Sequence, residues 1–318
     1  MDAGTPTIDP SLRERVLAEV DRRADLLLDV SHRIWADPEL CFEERHAHDL
    51  LCDVLESEGL RTRRHAADLE TAFVAEAGHG GPVVGVVCEY DALPGIGHAC
   101  GHNVIAAAGL GASLAAAAVA DEVGGTVRAL GTPAEEGGGG KVFMMRAGLF
   151  DDLVAAMMVH PADRDLMTMT SLAIASLETT YTGRAAHAAA APHLGRNALD
   201  AAVLGYVNVA ALRQHILPEE RVHGIFTDGG AQPNIVPSTA ATKWYVRSPD
   251  SAGLSALSER VVAALDAGAG ATGCESHHHW IDPPYLELVD DPALLERFVR
   301  HAGDLGRSLE DPRAVGGV

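Results

Sequence analysis

Aromatic side chains make up only 4% of this 318-residue chain, so its helices and sheets must close on one another through Ala and Gly rather than around large rings. Basic residues are the second shortage. Lys plus Arg number 24 against 45 Asp plus Glu, a formal charge of −21, which argues against a nucleic-acid partner and against an anionic membrane surface. Cysteines number five, at positions 41, 52, 88, 100 and 274. That odd count, with no paired framework, points away from a disulfide scaffold and toward a reducing, cytoplasmic compartment. The N-terminus, with Asp2, Asp9 and Arg13, has no apolar segment behind a basic start, so no signal peptide is read. One uncharged stretch, Val104 to Ala120, is mostly Ala and Gly and short for a membrane span, and reads as a buried helix. The length allows a sizeable core in about two domains.

What is present centres on His98-Ala99-Cys100-Gly101-His102-Asn103. Thiolate and imidazole are ligands that borderline-soft divalent metals prefer. Gly101 lets the backbone fold tightly enough for Cys100 and His102 to face one point. A buried inert Cys and hydrogen-bonded His would give the same letters, so the weight falls on what surrounds the motif.

Leu12 to Ile34 has the apolar spacing of one surface helix, and Glu43 to Gly59 that of a second, with Leu50, Leu51, Val54 and Leu55 as its stripe. Arg61, Arg63 and Arg64 read as a solvated strand edge. Val83 to Cys88, Thr126 to Leu130 and Val154 to Val159 are short apolar runs, the sign of strands buried in a parallel sheet. Asn103 is a natural N-cap for the Ala-rich helix after the first run, and Lys141 to Ala147 is expected to be helical after the second. Each run finishes on a group capable of coordination or proton transfer: Asp91, the Glu135-Glu136 pair, and His160. In an open α/β sheet ligands collect beyond the carboxyl ends of the strands, so these groups should gather at one rim with Cys100 and His102.

After Pro161 the pattern changes. Ser171 to Tyr181 reads as a strand, Asn197 to Ile216 as a helix, Val222 to Phe226 and Thr239 to Val246 as strands, Ser255 to Ala267 as a helix and Thr272 to Trp280 as a strand. That is the split βαβ, ferredoxin-like order. The expected fold is α/β, a mostly parallel-sheet domain over residues 1–170 with an inserted ferredoxin-like α+β domain over 171–283. Residues 284–318, helical from Pro284 to Arg307, are expected to return to the first domain.

Adjacent glutamates after a strand can divide labour, one binding metal while its neighbour takes a proton from the attacking water. The motifs Glu89-Tyr90-Asp91-Ala92-Leu93-Pro94, Gly97-His98-Ala99-Cys100-Gly101-His102-Asn103 and Thr132-Pro133-Ala134-Glu135-Glu136-Gly137 resemble those of the amidohydrolase branch of the M20 metallopeptidases. Within that branch the nearest likeness is to the M20 domain-containing protein 2 group and the aminobenzoyl-glutamate hydrolase subunits. The resemblance extends to Gly183-Arg184-Ala185-Ala186-His187-Ala188-Ala189 and to Gly229-Gly230-Ala231-Gln232-Pro233-Asn234-Ile235-Val236-Pro237, with Arg247 thirteen positions past Asn234.

The resemblance implies two divalent ions, zinc or manganese, with Cys100, His102, Glu136 and His160 as ligands and Glu135 as general base. Asp91 would orient a metal-bound imidazole. His187 would stabilise the oxyanion, often across a dimer interface, and Asn234 and Arg247 would hold the substrate's carboxylate. The implied reaction is hydrolysis of an amide or peptide bond in a small N-acyl amino acid or dipeptide-like substrate by a homodimer whose second domain serves as dimerisation or lid domain. Glu89 stands where other branches of the family carry a metal-binding His, and is either a ligand or a hydrogen-bonded structural acid. His277, His278 and His279 cannot all face one ion from a strand and read as surface residues. Relatives of this kind end in a further segment with a final metal-binding His, which is not found before Val318; His301 has no matching motif around it. The expectation is therefore a fragment that holds one metal better than two, with a metal-binding but inactive scaffold as the alternative function.

Overall fold

The computed structural model describes residues 9–312. It divides into two compact units between Asp163 and Arg164.

In the first unit, helices α1 (Pro10–Arg22), α2 (Ala24–Ala36) and α3 (Arg45–Ser57) precede strands β1 (Arg61–Arg64), β2 (Phe73–Gly78) and β3 (Val83–Cys88). Then come α4 (His102–Ala117), the short α5 (Ala120–Val123), β4 (Thr126–Gly131), α6 (Gly140–Arg146) and β5 (Leu153–Met157). The five strands form one sheet in the order β1-β2-β4-β3-β5. β3 pairs parallel with β4 and with β5, whereas β2 is antiparallel to both β1 and β4. The sheet is therefore mixed, and β2, whose run Phe73-Val74-Ala75 is buried, had no counterpart in the sequence reading. β5 also departs from expectation: it ends at Met157 and is an edge strand, with Val154 65% exposed. The single helix expected over 12–34 is two, broken at Arg23, whose guanidinium is held by Glu19 and Glu58.

One face of the sheet packs against α2, α3 and α4 through Ile34, Leu51, Leu55, Phe73, Leu110 and Leu114; Val74, Val87, Leu130 and Met144 form a second cluster. The scarcity of large side chains has the predicted consequence at α4. A Cβ on Gly109 would lie 2.6 Å from Cys88 Sγ and 2.9 Å from the Val87 carbonyl oxygen, so glycine is what lets this helix lie against β3. No helix among the described residues is long and apolar enough to cross a membrane.

The second unit contains β6 (Ala173–Thr182), α7 (Ala198–Leu212), β7 (Arg221–Asp228), β8 (Thr239–Ser248), α8 (Ser251–Thr272), β9 (Glu275–Tyr285) and α9 (Pro292–Asp304). Its antiparallel sheet has the order β7-β8-β6-β9, the ferredoxin-like arrangement of a split βαβ unit. α7 and α8 cover one face, closing on Trp244, Val246, Leu177 and Leu265.

Candidate metal centre

The register of the first sheet explains why the site forms where it does. β3 and β4 run parallel from Val83 opposite Thr126 to Cys88 opposite Gly131, so both strands deliver their next residues to the same rim. Glu89 to Asp91 follows one strand, and Thr132 to Glu136 the other. β5 pairs with β3 on its far side, and the chain reaches His160 three residues after it.

The loop between β3 and α4 brings the remaining ligands. Gly101 has φ +85° and is the N-cap of α4, and a Cβ there would stand 2.5 Å from the ring of Pro161. Only glycine accommodates both the left-handed turn and the close approach of the His160-Pro161 segment. Asn103, expected as the N-cap, instead sits inside the first turn and donates to Ser31 Oγ at 2.9 Å.

His102 is fully buried. Its Nδ1 lies 2.9 Å from Asp91 Oδ1, which fixes the proton on Nδ1 and leaves the Nε2 lone pair pointing inward with no hydrogen-bond partner. The other Asp91 oxygen accepts from the Glu136 backbone N–H at 2.8 Å. His160 repeats the arrangement: Nδ1 donates to the Pro161 carbonyl at 2.8 Å, and Nε2 faces Cys100 Sγ at 3.6 Å. Two imidazoles thus turn Nε2 toward one space.

Cys100, His102 and His160 form one group of converging donors, and Glu89, His102 and Glu135 form another that shares His102. The nearest oxygens of Glu89, Glu135 and Glu136 stand 3.7, 3.8 and 3.8 Å from His102 Nε2. Glu136 Oε1 is buried with no hydrogen-bond partner. Four carboxylates and a thiol around one imidazole repel one another unless cations lie among them. The Cys100 thiol is pushed up to about 12 by burial and by the charges of Glu136, Glu135 and Asp91, a setting that only a bound cation reverses. Burial likewise raises the Glu135 carboxyl, against the pull of His102. Orphaned Nε2 and Oε1 atoms, soft and hard donors and uncompensated charge together fit a pair of divalent ions sharing this cluster.

Glu89, whose role the sequence leaves open, has an ion-pair partner that no motif announces. Glu89 is buried, and one oxygen contacts Lys141 Nζ at the start of α6. Burial pushes the Lys141 ammonium down to about 8. Lys141 is one of two lysines in the chain and follows four glycines directly, the signal that could have drawn attention to it. His98, the third histidine of the motif, is buried but belongs to neither donor group.

The other predicted site residues lie in the second unit. His187 and Asn234 are neighbours: His187 bridges Ile235, and the Ala188 N–H donates to the Asn234 carbonyl at 3.0 Å. His187 Nδ1 accepts from the N–H groups of Ala189 and Ala190 at 3.3 and 3.1 Å, so its proton sits on Nε2, where the exposed ring can donate it. Arg247 is on β8, opposite Ile174 of β6 and Arg221 of β7. Of the three consecutive histidines on β9, His278 is held by Thr179 and Asp266 while His277 and His279 are exposed, and none joins a donor group.

Comparison with known proteins agrees with this geometry. Residues 86–318 match the model of Peptidase family M20/M25/M40. The chain is 38% identical over 323 residues to a mouse Xaa-Arg dipeptidase, covering 96% of this chain and 74% of that protein. It is 37% identical over 272 residues to one of the p-aminobenzoyl-glutamate hydrolase subunits of Escherichia coli strain K12, covering 79% of this chain and 56% of that one. Among solved structures, the fold is shared with a dinuclear metal-binding peptidase of the M20 family from Bacillus subtilis (TM-score 0.69, 22% identity, 92% of this chain and 82% of that). It is shared also with an aminobenzoyl-glutamate utilization protein from Klebsiella pneumoniae (TM-score 0.75, 20% identity, 93% and 85%). With the ligand cluster in place at the rim of its sheet, the chain belongs to peptidase family M20/M25/M40, as a metal-dependent enzyme of the amidohydrolase branch that resembles aminobenzoyl-glutamate hydrolase and related dipeptidases.

Proposed function

We propose that this enzyme hydrolyses the amide bond of a small N-acyl amino acid or dipeptide-like substrate bearing a free carboxylate, with Glu135 as general base. The observation that carries the reading is the unequal setting of two adjacent glutamates. Glu136 turns a buried, unpartnered oxygen toward His102 Nε2, as a ligand would, while the Glu135 side chain remains 35% exposed at the same cluster. Relatives named for dipeptides and for an acyl glutamate support the substrate class.

Divalent ions held by Cys100, His102, Glu136 and His160 would supply Lewis acidity, polarising the scissile carbonyl and acidifying the attacking water. Asp91 keeps His102 in the tautomer that offers Nε2. Glu135, its carboxyl raised by burial, takes a proton from water and returns it to the leaving nitrogen. His187 donates Nε2–H to the carbonyl oxygen as charge develops on it, a contribution worth roughly a hundredfold or more in rate. Asn234 and the two-pronged guanidinium of Arg247 hold the substrate's carboxylate.

The working form in this reading is a homodimer in which His187 serves a neighbouring subunit. β7 and β9 are edge strands suited to two-fold pairing. Two experiments test these assignments. Glu135→Gln should abolish turnover with metal content nearly intact, whereas Glu136→Gln should lose metal too; a Glu135→Gln enzyme that keeps most of its activity removes Glu135 from the role of base. Mixing inactive His187→Ala and Glu135→Gln subunits should restore activity, and no recovery despite proven subunit exchange places the whole site in one chain.

A further inference from the structure

Glu44 is a fully buried carboxylate that the chemistry proposed above does not use. It stands immediately before α3, where a side-chain oxygen ordinarily accepts from the N–H groups of the helix's own first turn. Glu39 takes that part instead, accepting from His46 N at 2.9 Å and Ala47 N at 3.0 Å. The Glu44 side chain makes no cap on its own helix and turns toward other loops. Its Oε1 accepts from the Phe42 N–H and from the Ala134 N–H, each at 2.9 Å, and its Oε2 accepts from the Thr71 hydroxyl at 2.8 Å.

The two N–H groups that share Oε1 belong to residues with left-handed backbones, Phe42 at φ +61° and Ala134 at φ +57°. For a residue with a Cβ that conformation costs about tenfold in population, so it persists only where its surroundings hold it. Ala134 directly precedes the Glu135-Glu136 pair, and its turn sets the direction in which the following side chains leave the chain. Its carbonyl is fixed as well, accepting from Gly138 N at 3.0 Å and Gly139 N at 2.7 Å. Phe42 closes the turn from the other side: a Cβ on Gly138 would lie 2.4 Å from its ring. Two positions past Ala134, Asp91 holds the Glu136 N–H at 2.8 Å. Glu135 therefore lies between two carboxylate anchors, with its own carboxylate 3.8 Å from His102 Nε2.

We propose that Glu44 is the positioning residue for Glu135: by holding Ala134 in the left-handed turn it aims the Glu135 carboxylate at the His102 cluster, while Asp91 places Glu136. The inference rests on the reading of Glu135 as general base. It gives the two adjacent glutamates separate anchors, so loss of Glu44 disturbs proton transfer and leaves the metal ligands where they are. The role is geometric rather than electrostatic, since what Ala134 and Phe42 require is one oxygen that accepts from both.

The test uses the full chain loaded with metal and compares Glu44→Ala, Glu44→Gln, and Glu44→Ala combined with Ala134→Gly. The readouts are kcat and KM on N-(4-aminobenzoyl)-glutamate, zinc affinity by chelator competition, and a crystal structure of each variant. A reacting group misplaced by about 1 Å costs on the order of 100-fold, so kcat of Glu44→Ala should fall by that order while KM and zinc affinity stay within about threefold of wild type. Glutamine keeps an oxygen for both N–H groups and donates its NH2 to the Thr71 hydroxyl, so Glu44→Gln should restore most of kcat. Glycine adopts the left-handed turn without an anchor, so Ala134→Gly should restore part of kcat in the Glu44→Ala background. The crystals should show Ala134 outside the left-handed region and the Glu135 carboxylate displaced in Glu44→Ala alone. If Glu44→Ala does not fold, Glu44→Asp, a carboxylate too short to serve both loops, replaces it with the same expectation. A folded Ala or Asp variant with wild-type kcat and Glu135 in place overturns the proposal. So does loss of zinc in step with kcat, or a Glu44→Gln enzyme as slow as Glu44→Ala. A Glu135→Gln enzyme that keeps its activity refutes the base assignment instead, and the position of the Glu135 carboxylate in the Glu44→Ala crystal then decides the positioning role by itself.

Discussion

Replacing Asp91 by Asn keeps the volume of the side chain but breaks the logic of the metal centre. Asp91 is buried and accepts from two donors at once, His102 Nδ1 at 2.9 Å and the Glu136 backbone N–H at 2.8 Å. An asparagine has one oxygen for these two donors. If the oxygen stays on Glu136 N, the new NH2 faces His102 Nδ1 and drives the imidazole proton to Nε2, which removes the lone pair meant for metal. If the oxygen serves His102, an NH2 is pressed against an N–H and the Glu136 turn must shift. Either way one charge-assisted hydrogen bond is lost, about 1.5–3 kcal/mol, or roughly 10- to 100-fold in metal affinity. Competition against a chromogenic chelator reads that affinity directly, with the melting temperature of the metal-free protein as control for folding. Wild-type zinc affinity in a folded Asp91→Asn variant would refute the argument that Asp91 sets the tautomer of His102.

Lys141→Met leaves the buried Glu89 carboxylate without its ion-pair partner and should destabilise the protein by about 3 kcal/mol, the low end for such a pair because the Lys141 side chain is a third exposed; urea unfolding measures it, and Lys141→Met with Glu89→Gln should recover most of the loss. Gly109→Ala places a methyl group 2.6 Å from Cys88 Sγ and should cost about 1–3 kcal/mol by forcing α4 off β3, again read by urea unfolding, whereas an unchanged midpoint would show that the helix can move freely. His48 is buried, and burial holds its pKa below 6.5 in the folded state. The unfolded chain then takes up a proton before the folded one as pH falls, so the contribution is intact above about pH 6.5 and is lost toward the lower folded value, by at most about 1.4 kcal/mol per pH unit. A smaller drop in stability between pH 7.5 and 5.5 for His48→Gln than for wild type is the expected result.

The metal centre was legible because its residues sit at strand ends, where the chemistry of a short motif and the geometry of a parallel pair coincide. Asp91, Cys100, His102, Glu135, Glu136 and His160 do meet at one rim. The ferredoxin-like order was legible too, since its strands alternate and its helices carry caps such as Asn197 and Asp250. What escaped were features fixed by tertiary contact. β2 was overlooked because it pairs antiparallel inside a sheet otherwise announced by crossover helices. The break at Arg23 depends on Glu58, 35 residues away, and no local signal records it. Gly101 rather than Asn103 caps α4 because Pro161 presses on the loop, a contact across 60 positions. The Glu89–Lys141 pair joins the loop after β3 to the first turn of α6 across 52 positions, beyond the reach of any motif.

The central claim is that two divalent ions share the cluster built on His102. Anomalous diffraction from crystals grown with zinc or manganese tests it most directly. Peaks are expected within the space bounded by Cys100, His102, Glu135, Glu136 and His160, with His102 Nε2 as a ligand and its Nδ1 still on Asp91. Peaks at His277 to His279 with none at the rim, or a metal-saturated crystal in which His102 Nε2 touches no ion, would contradict it.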